Sequence, residues 1–121
     1  MGGDYASVAE QFIPYYYNTF DSDRRALEGL YRDNSVLTFE SSQTEGAAAI
    51  AEKLAGLSFV NVKHEVQTKD AQPAADGAIL VLVTGVIEAD GSPFKFAQTF
   101  VLMQDGGSYY VANDVFKLIY G

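Results

Sequence analysis

Residues 78–103 read AILVLVTGVIEADGSPFKFAQTFVLM. Two runs of β-branched and aromatic residues flank a DGSP turn, which predicts an antiparallel hairpin. Both strands are apolar on both faces: Ile79, Val81 and Val83 oppose Leu80 and Leu82, while Phe96, Phe100 and Leu102 oppose Ala97, Val101 and Met103. A sheet that is apolar on each side needs a cover on each side. Helices elsewhere in the chain supply one cover. The chain is too short to supply a second, so another copy packed sheet to sheet is expected there, making a homodimer.

Reading outward from the hairpin, a DGG turn leads into a last strand, SYYVANDVFKLIY (108–120), and completes an antiparallel meander. Upstream, FVNVKHEVQTKD (59–70) alternates Val60, Val62, His64 and Val66 with Asn61, Lys63, Glu65 and Gln67, a strand with one dry face. GAAAIAEKLAGL (46–57) predicts a helix with Ile50, Leu54 and Leu57 inward, SSQTEG (41–46) a loop, and SVLTFE (35–40) a strand. SDRRALEGLYR (22–32) predicts a short helix capped by Ser22. The first element, residues 5–20, places Tyr5, Val8, Phe12, Tyr16 and Phe20 on one helical stripe with Ala9 and Ile13 beside it. Pro14 inside it predicts a kink. The result is a single α+β domain over residues 1–121, large enough to bury roughly two thirds of its unfolded surface.

Sixteen acids against eight bases give a formal net charge of −8, which favours a basic partner and disfavours nucleic acid and anionic lipid. No apolar run approaches the length of a membrane span, and MGGDYASV lacks the features of a secretory signal or a myristoylation signal. Absence of cysteine excludes disulfides and thiolate sites, and one histidine excludes most zinc clusters. No phosphate-cradling glycine loop occurs, so nucleotide chemistry by this chain is not expected, and no cofactor is implied.

Three polar residues, Glu40, His64 and Asp114, stand among apolar neighbours, and Asp90 is a fourth, exposed acid at a hairpin turn. His64 on the valine face is either a core imidazole bonded to a neighbour or a functional group. Asp114 alternates with Ala112, Phe116 and Leu118, and reads as an acid held by backbone donors near a strand bend. Glu40 ends a strand, and Asp90 suits a hairpin turn. Tyr15, Tyr16 and Tyr17 broaden a helix face, and buried phenols need partners.

Taken together, FIPYYYNTFDSDRRALEGLY, SVLTFE, GAAAIAEKL, the histidine of VKHEV and YYVANDVFKL resemble the nuclear transport factor 2 family across nearly the whole chain. The resemblance implies a cone: a strongly curved, mostly antiparallel sheet around a hydrophobic cavity whose other wall is the N-terminal helix, with dimerisation through the outer sheet face. It implies a carrier and not an enzyme, one that binds the small GTPase Ran in its GDP form and phenylalanine-glycine repeats of nucleoporins. Such a carrier moves between cytoplasm and nucleus and is enriched at the nuclear pore. Glu40 and Asp90 match acids at the cavity mouth, Phe39 and His64 match mouth residues, and Phe116 matches a wall aromatic. Together they would receive an aromatic and basic side chains of the GTPase switch II. Ser92 stands where the family often has a second acid, and Tyr5 where the repeat-binding aromatic is often tryptophan. Two other readings are a scaffold that binds repeats alone and an isomerase or dehydratase using His64, Asp114 and a tyrosine on the same fold.

Overall fold

The computed structural model describes residues 4–58 and 61–119. Helix α1 (Asp4–Ser22) is followed by a 3₁₀ helix (Arg24–Leu30), strands β1 (Tyr31–Phe39) and β2 (Ser42–Glu45), and helix α2 (Ala47–Ala55). Strand β3 (Val62–Pro73), a 3₁₀ turn (Ala75–Gly77), and strands β4 (Ile79–Ala89), β5 (Ser92–Asp105) and β6 (Ser108–Ile119) complete the chain. The six strands form one open sheet in the order β2-β1-β6-β5-β4-β3. Every neighbouring pair is antiparallel except β1 with β6, which is parallel because the chain crosses from the second strand to the last four through α2.

The hairpin of residues 78–103 forms as read. Ile79, Val81, Val83 and Ile87 of β4 and Phe96, Phe100 and Leu102 of β5 are buried on the inner face. Helix α1 lies against that face, with Phe12 edge-on to Phe100 at 4.9 Å and Tyr16 edge-on to the same ring at 4.8 Å. Its buried stripe is Ala9, Ile13, Tyr16, Tyr17 and Phe20, while Tyr5, Val8 and Phe12 are only partly buried. The stripe is thus rotated toward Tyr17 relative to the sequence reading. Helix α2 buries Ile50 and Leu54, with Leu57 packed at the margin, as expected.

Helix α1 runs through Pro14 as one element, with Pro14 and Glu10 facing solvent, so water can satisfy the carbonyl that lost its donor. Three local expectations are corrected. Ser22 ends α1 and does not cap the next helix, its hydroxyl donating back to the Asn18 carbonyl at 2.8 Å. The segment after it is 3₁₀, and β1 begins at Tyr31, earlier than the reading of SVLTFE placed it. SSQTEG is not a loop: Ser42–Glu45 pairs with Val36–Phe39 as an edge strand across a two-residue turn. Both turn residues, Glu40 (φ 50°) and Ser41 (φ 74°), are left-handed, a conformation more often signalled by Asn-Gly. Val62, His64 and Val66 alternate with exposed residues as read, and Val60 lies outside the described residues.

The register of β3 against β4 slips at Gln67, where one extra residue enters β3. Gly85 lies opposite, and a Cβ there would stand 2.1 Å from the Glu65 carbonyl oxygen. Only glycine admits that close backbone approach. Gly85→Ala should therefore cost more than about 2 kcal/mol in urea unfolding, against the 1–3 kcal/mol typical of overpacking. A loss under about 0.5 kcal/mol would show that the bulge relaxes freely.

Candidate functional site at one end of the sheet

Strand register brings the sequence-selected aromatics to one end of the sheet. Phe39 lies beside Phe116 across β1 and β6, Leu118 beside Phe96 across β6 and β5, and Ile87 between Phe94 and His64. The rings follow. Phe39 and Phe116 stack at 4.6 Å and 3°, and Phe116 stacks on Phe96 at 5.5 Å. Phe96 meets the His64 ring edge-on at 5.4 Å, and His64 contacts Phe20 at 4.8 Å and Tyr17 at 4.6 Å. A continuous aromatic row thus crosses from β1 to β3 and onto α1. Beside it lies a hollow of about 300 Å³ lined in part by Phe20, Asp21, Arg24 and Val62. Phe94, 41% exposed, is a further aromatic at this end that the sequence reading did not select.

Glu40 and Asp90 occupy turns at the same end. The Glu40 amide donates to the Phe116 carbonyl at 3.1 Å, and its carboxylate accepts the Leu118 amide. Asp90 (φ 50°) and Gly91 (φ 88°) make the β4–β5 turn. The Asp90 carboxylate accepts the Asn61 amide at 2.8 Å while its own amide donates to the Asn61 carbonyl at 2.7 Å. Each acid therefore fastens a neighbouring segment from a turn at this end of the sheet, and neither lines the hollow. Ser92 is exposed at the start of β5. Tyr5 is not part of this group: it lies in the first turn of α1, about 24 Å along the helix axis from Asp21 at 1.5 Å per residue.

His64 is buried, its side chain 1% exposed, and clamped by Asp21. The Asp21 carboxylate takes Nδ1 at 2.6 Å and the His64 backbone amide at 2.8 Å. With Nδ1–H given to the carboxylate, Nε2 is the acceptor of the neutral ring. Sequence reasoning missed Asp21. The available signal was an acid in the last turn of a helix, where the macrodipole disfavours negative charge unless something else holds it.

Asp114 is fully buried and is held by side chains, not by the backbone donors expected of it. Its Oδ2 accepts from the Tyr31 hydroxyl at 2.8 Å and the Tyr16 hydroxyl at 3.2 Å, and its Oδ1 accepts from Gln98 Nε2 at 2.7 Å. Gln98 Oε1 in turn accepts from the Tyr17 hydroxyl at 2.8 Å. This network accounts for the tyrosine run: Tyr16 of α1 reaches the buried carboxylate of β6 directly, Tyr17 reaches it through Gln98, and Tyr15 is left outside. An acid–base pair of His64 with Asp114 does not form, because the carboxylate partner of His64 is Asp21. Among the described residues, no group of three or more His, Asp or Glu side chains is placed to hold a metal ion.

Burial raises the Asp114 carboxyl to about 6, with the hydrogen bonds from Gln98, Tyr31 and Tyr16 opposing the rise. Burial, with the Asp114 charge beside them, raises the phenols of Tyr16 and Tyr31 well above the usual value. The folded chain therefore binds more protons than the unfolded chain between about pH 4 and pH 6. The contribution of Asp114 to stability falls as pH rises through that window, by about 3 kcal/mol at most. Unfolding free energies of the wild type and Asp114→Asn should show it: wild type minus variant should decrease between pH 4 and pH 7. A difference that does not change with pH would contradict the buried-acid description.

A family model described as the nuclear transport factor 2 (NTF2) domain matches residues 8–118. A protein named nuclear transport factor 2 from Emericella nidulans is 54% identical, covering 97% of each chain. One of the same name from Saccharomyces cerevisiae is 49% identical over 99% of this chain and 98% of its own. The solved structure of nuclear transport factor 2 from Cryptosporidium parvum superimposes with a TM-score of 0.93 at 38% identity, covering 98% of both chains. With the family model spanning nearly the whole chain and relatives at about half identity end to end, the chain belongs to the nuclear transport factor 2 family.

Proposed function

We infer that the chain carries Ran in its GDP form and docks on phenylalanine-glycine repeats of nucleoporins, moving between cytoplasm and nucleus with enrichment at the pore. One observation carries this reading: the aromatic row from Phe39 through Phe116 and Phe96 to His64 crosses the same end of the sheet as the turns that hold Glu40 and Asp90. Such a surface suits a protruding aromatic ring flanked by cations. Ring pairs contribute about 0.5–1.5 kcal/mol beyond area burial, and close interfacial charge pairs couple by about 1.5–7 kcal/mol. The net charge of −8 favours the approach of a basic segment to the chain as a whole. Discrimination of the GDP form then rests on the shape of switch II, with no contact to nucleotide.

Ser92 in place of a second acid removes one charge pair, and a loss of about 1.4 kcal/mol is tenfold in affinity. Tyr5, far along α1 from the mouth, would offer a repeat phenylalanine an aromatic face of smaller apolar area than tryptophan, so repeat binding is retained in weaker form. The outer sheet face supports the homodimer. Leu82, Val115 and Ile119 are 42%, 45% and 49% exposed there, with Leu80, Val101 and Met103 beside them half-buried, the kind of apolar patch that a second copy covers.

Glu40→Lys should weaken Ran·GDP binding at least a hundredfold in calorimetric titration, with the circular-dichroism spectrum and dimer mass unchanged. Wild-type affinity in that variant would remove the mouth from the binding site. Leu82→Lys combined with Val115→Lys should give a monomer in sedimentation equilibrium. A variant that stays dimeric would place the interface elsewhere.

A further inference from the structure

Beside the Glu40 carboxylate, the β1–β2 turn carries two serines that neither the fold nor the transport role uses. Glu40 and Ser41 are both left-handed without being glycine, a conformation that persists only where the surroundings fix it. Ser41 and Ser42 follow one another, both exposed. Two ammonium groups from two other elements meet their hydroxyls. Lys117 of β6 donates to Ser41 Oγ at 2.8 Å, and Lys53 of α2 donates to Ser42 Oγ at 3.4 Å. A neutral hydroxyl is a weak partner for an ammonium group, whereas a phosphate monoester is a strong one.

Ser42 is also placed for modification. It opens β2, a four-residue strand at the edge of the sheet, whose outer backbone groups have no neighbouring strand among the described residues. An acid, Glu45, stands three residues further on. Ser42 pairs directly with Phe39 in the hairpin, so the two side chains share one face of the sheet, the face on which Phe39 stacks against Phe116.

We propose that Ser42 is a phosphorylation site for an acid-directed serine kinase, with Lys53 receiving the phosphate. The Ser42 Oγ–phosphorus bond forms as the terminal phosphoanhydride bond of ATP breaks. ADP departs with the bonding electron pair, and the hydroxyl proton passes to the general base of the kinase. The product places a charge of about −1.5 to −2 at pH 7 beside Phe39, two residues from Glu40, and replaces a long hydroxyl contact to Lys53 with a charge-assisted one. The charge of the rim is then set by modification as well as by sequence. The site rests on the Lys53 contact, the edge position of Ser42 and Glu45 three residues on, and stands whether or not the mouth binds Ran.

The test is incubation of the purified protein with an acid-directed serine kinase and Mg·ATP, followed by intact and peptide mass measurement and thermal unfolding. One phosphate on Ser42 is expected, with incorporation at least tenfold lower in Ser42→Ala and unchanged in Ser41→Ala. The phosphorylated wild type should melt about 2–4 °C above the unmodified protein, and Lys53→Ala should abolish that rise while still being phosphorylated. No incorporation, or incorporation at another residue, would overturn the site. A rise in melting temperature that survives Lys53→Ala would overturn the assignment of Lys53 as receiver.

Discussion

One buried carboxylate ties the first helix to the sheet. An ionised acid removed from water costs several kcal/mol unless its oxygens are satisfied, and Asp114 meets that demand with donors from three elements: Tyr16 on α1, Tyr31 on β1 and Gln98 on β5. Tyr17 closes the network through Gln98. These bonds fix the rotation of α1 about its axis more tightly than apolar packing alone, because a small turn of the helix would strand a buried charge. With α1 held, its last turn delivers Asp21 to His64, and the ring of His64 takes its place in the aromatic row.

Scaffold and site are thus divided along the length of the same elements. The middles of the strands bury Val81, Val83, Phe100 and Val111 completely. Their ends carry Phe39, Glu40, Asp90 and Phe94, at turns or just beside them. Surface turns tolerate left-handed residues and exposed charge, and rigid strands below them hold the geometry. Glu40 accepts an amide from β6 and Asp90 accepts one from Asn61, just before β3, so their negative charges are positioned by the sheet that they help to terminate.

Much of this was legible in the chain. The two-faced hairpin, the inward residues of α2 and the alternation around His64 follow from periodicity, which burial enforces locally. The β2 strand was not legible, because Glu-Ser lacks the usual chemistry of a two-residue turn and four polar residues show no dry face. The role of Asp21 is written only in its partner, 43 residues away. Gln98 reads as one polar residue in an apolar strand until Asp114 and Tyr17 are brought to it, and the parallel pairing of β1 with β6 leaves no local mark. Family resemblance selected Phe39, Glu40, His64, Asp90 and Phe116, and strand register gathers all five at one end of the sheet, where composition alone had offered only isolated polar residues.

On the function proposed, this end of the sheet would read shape and charge together, the aromatic row taking an inserted ring and the acids at its edge taking the cations beside it. Calorimetric titration of the wild-type chain with Ran loaded with GDP, and separately with Ran loaded with GTP, tests it most directly. Saturable binding to the GDP form with no heat from the GTP form is the expected result. Equal binding to both forms, or to neither, would contradict it.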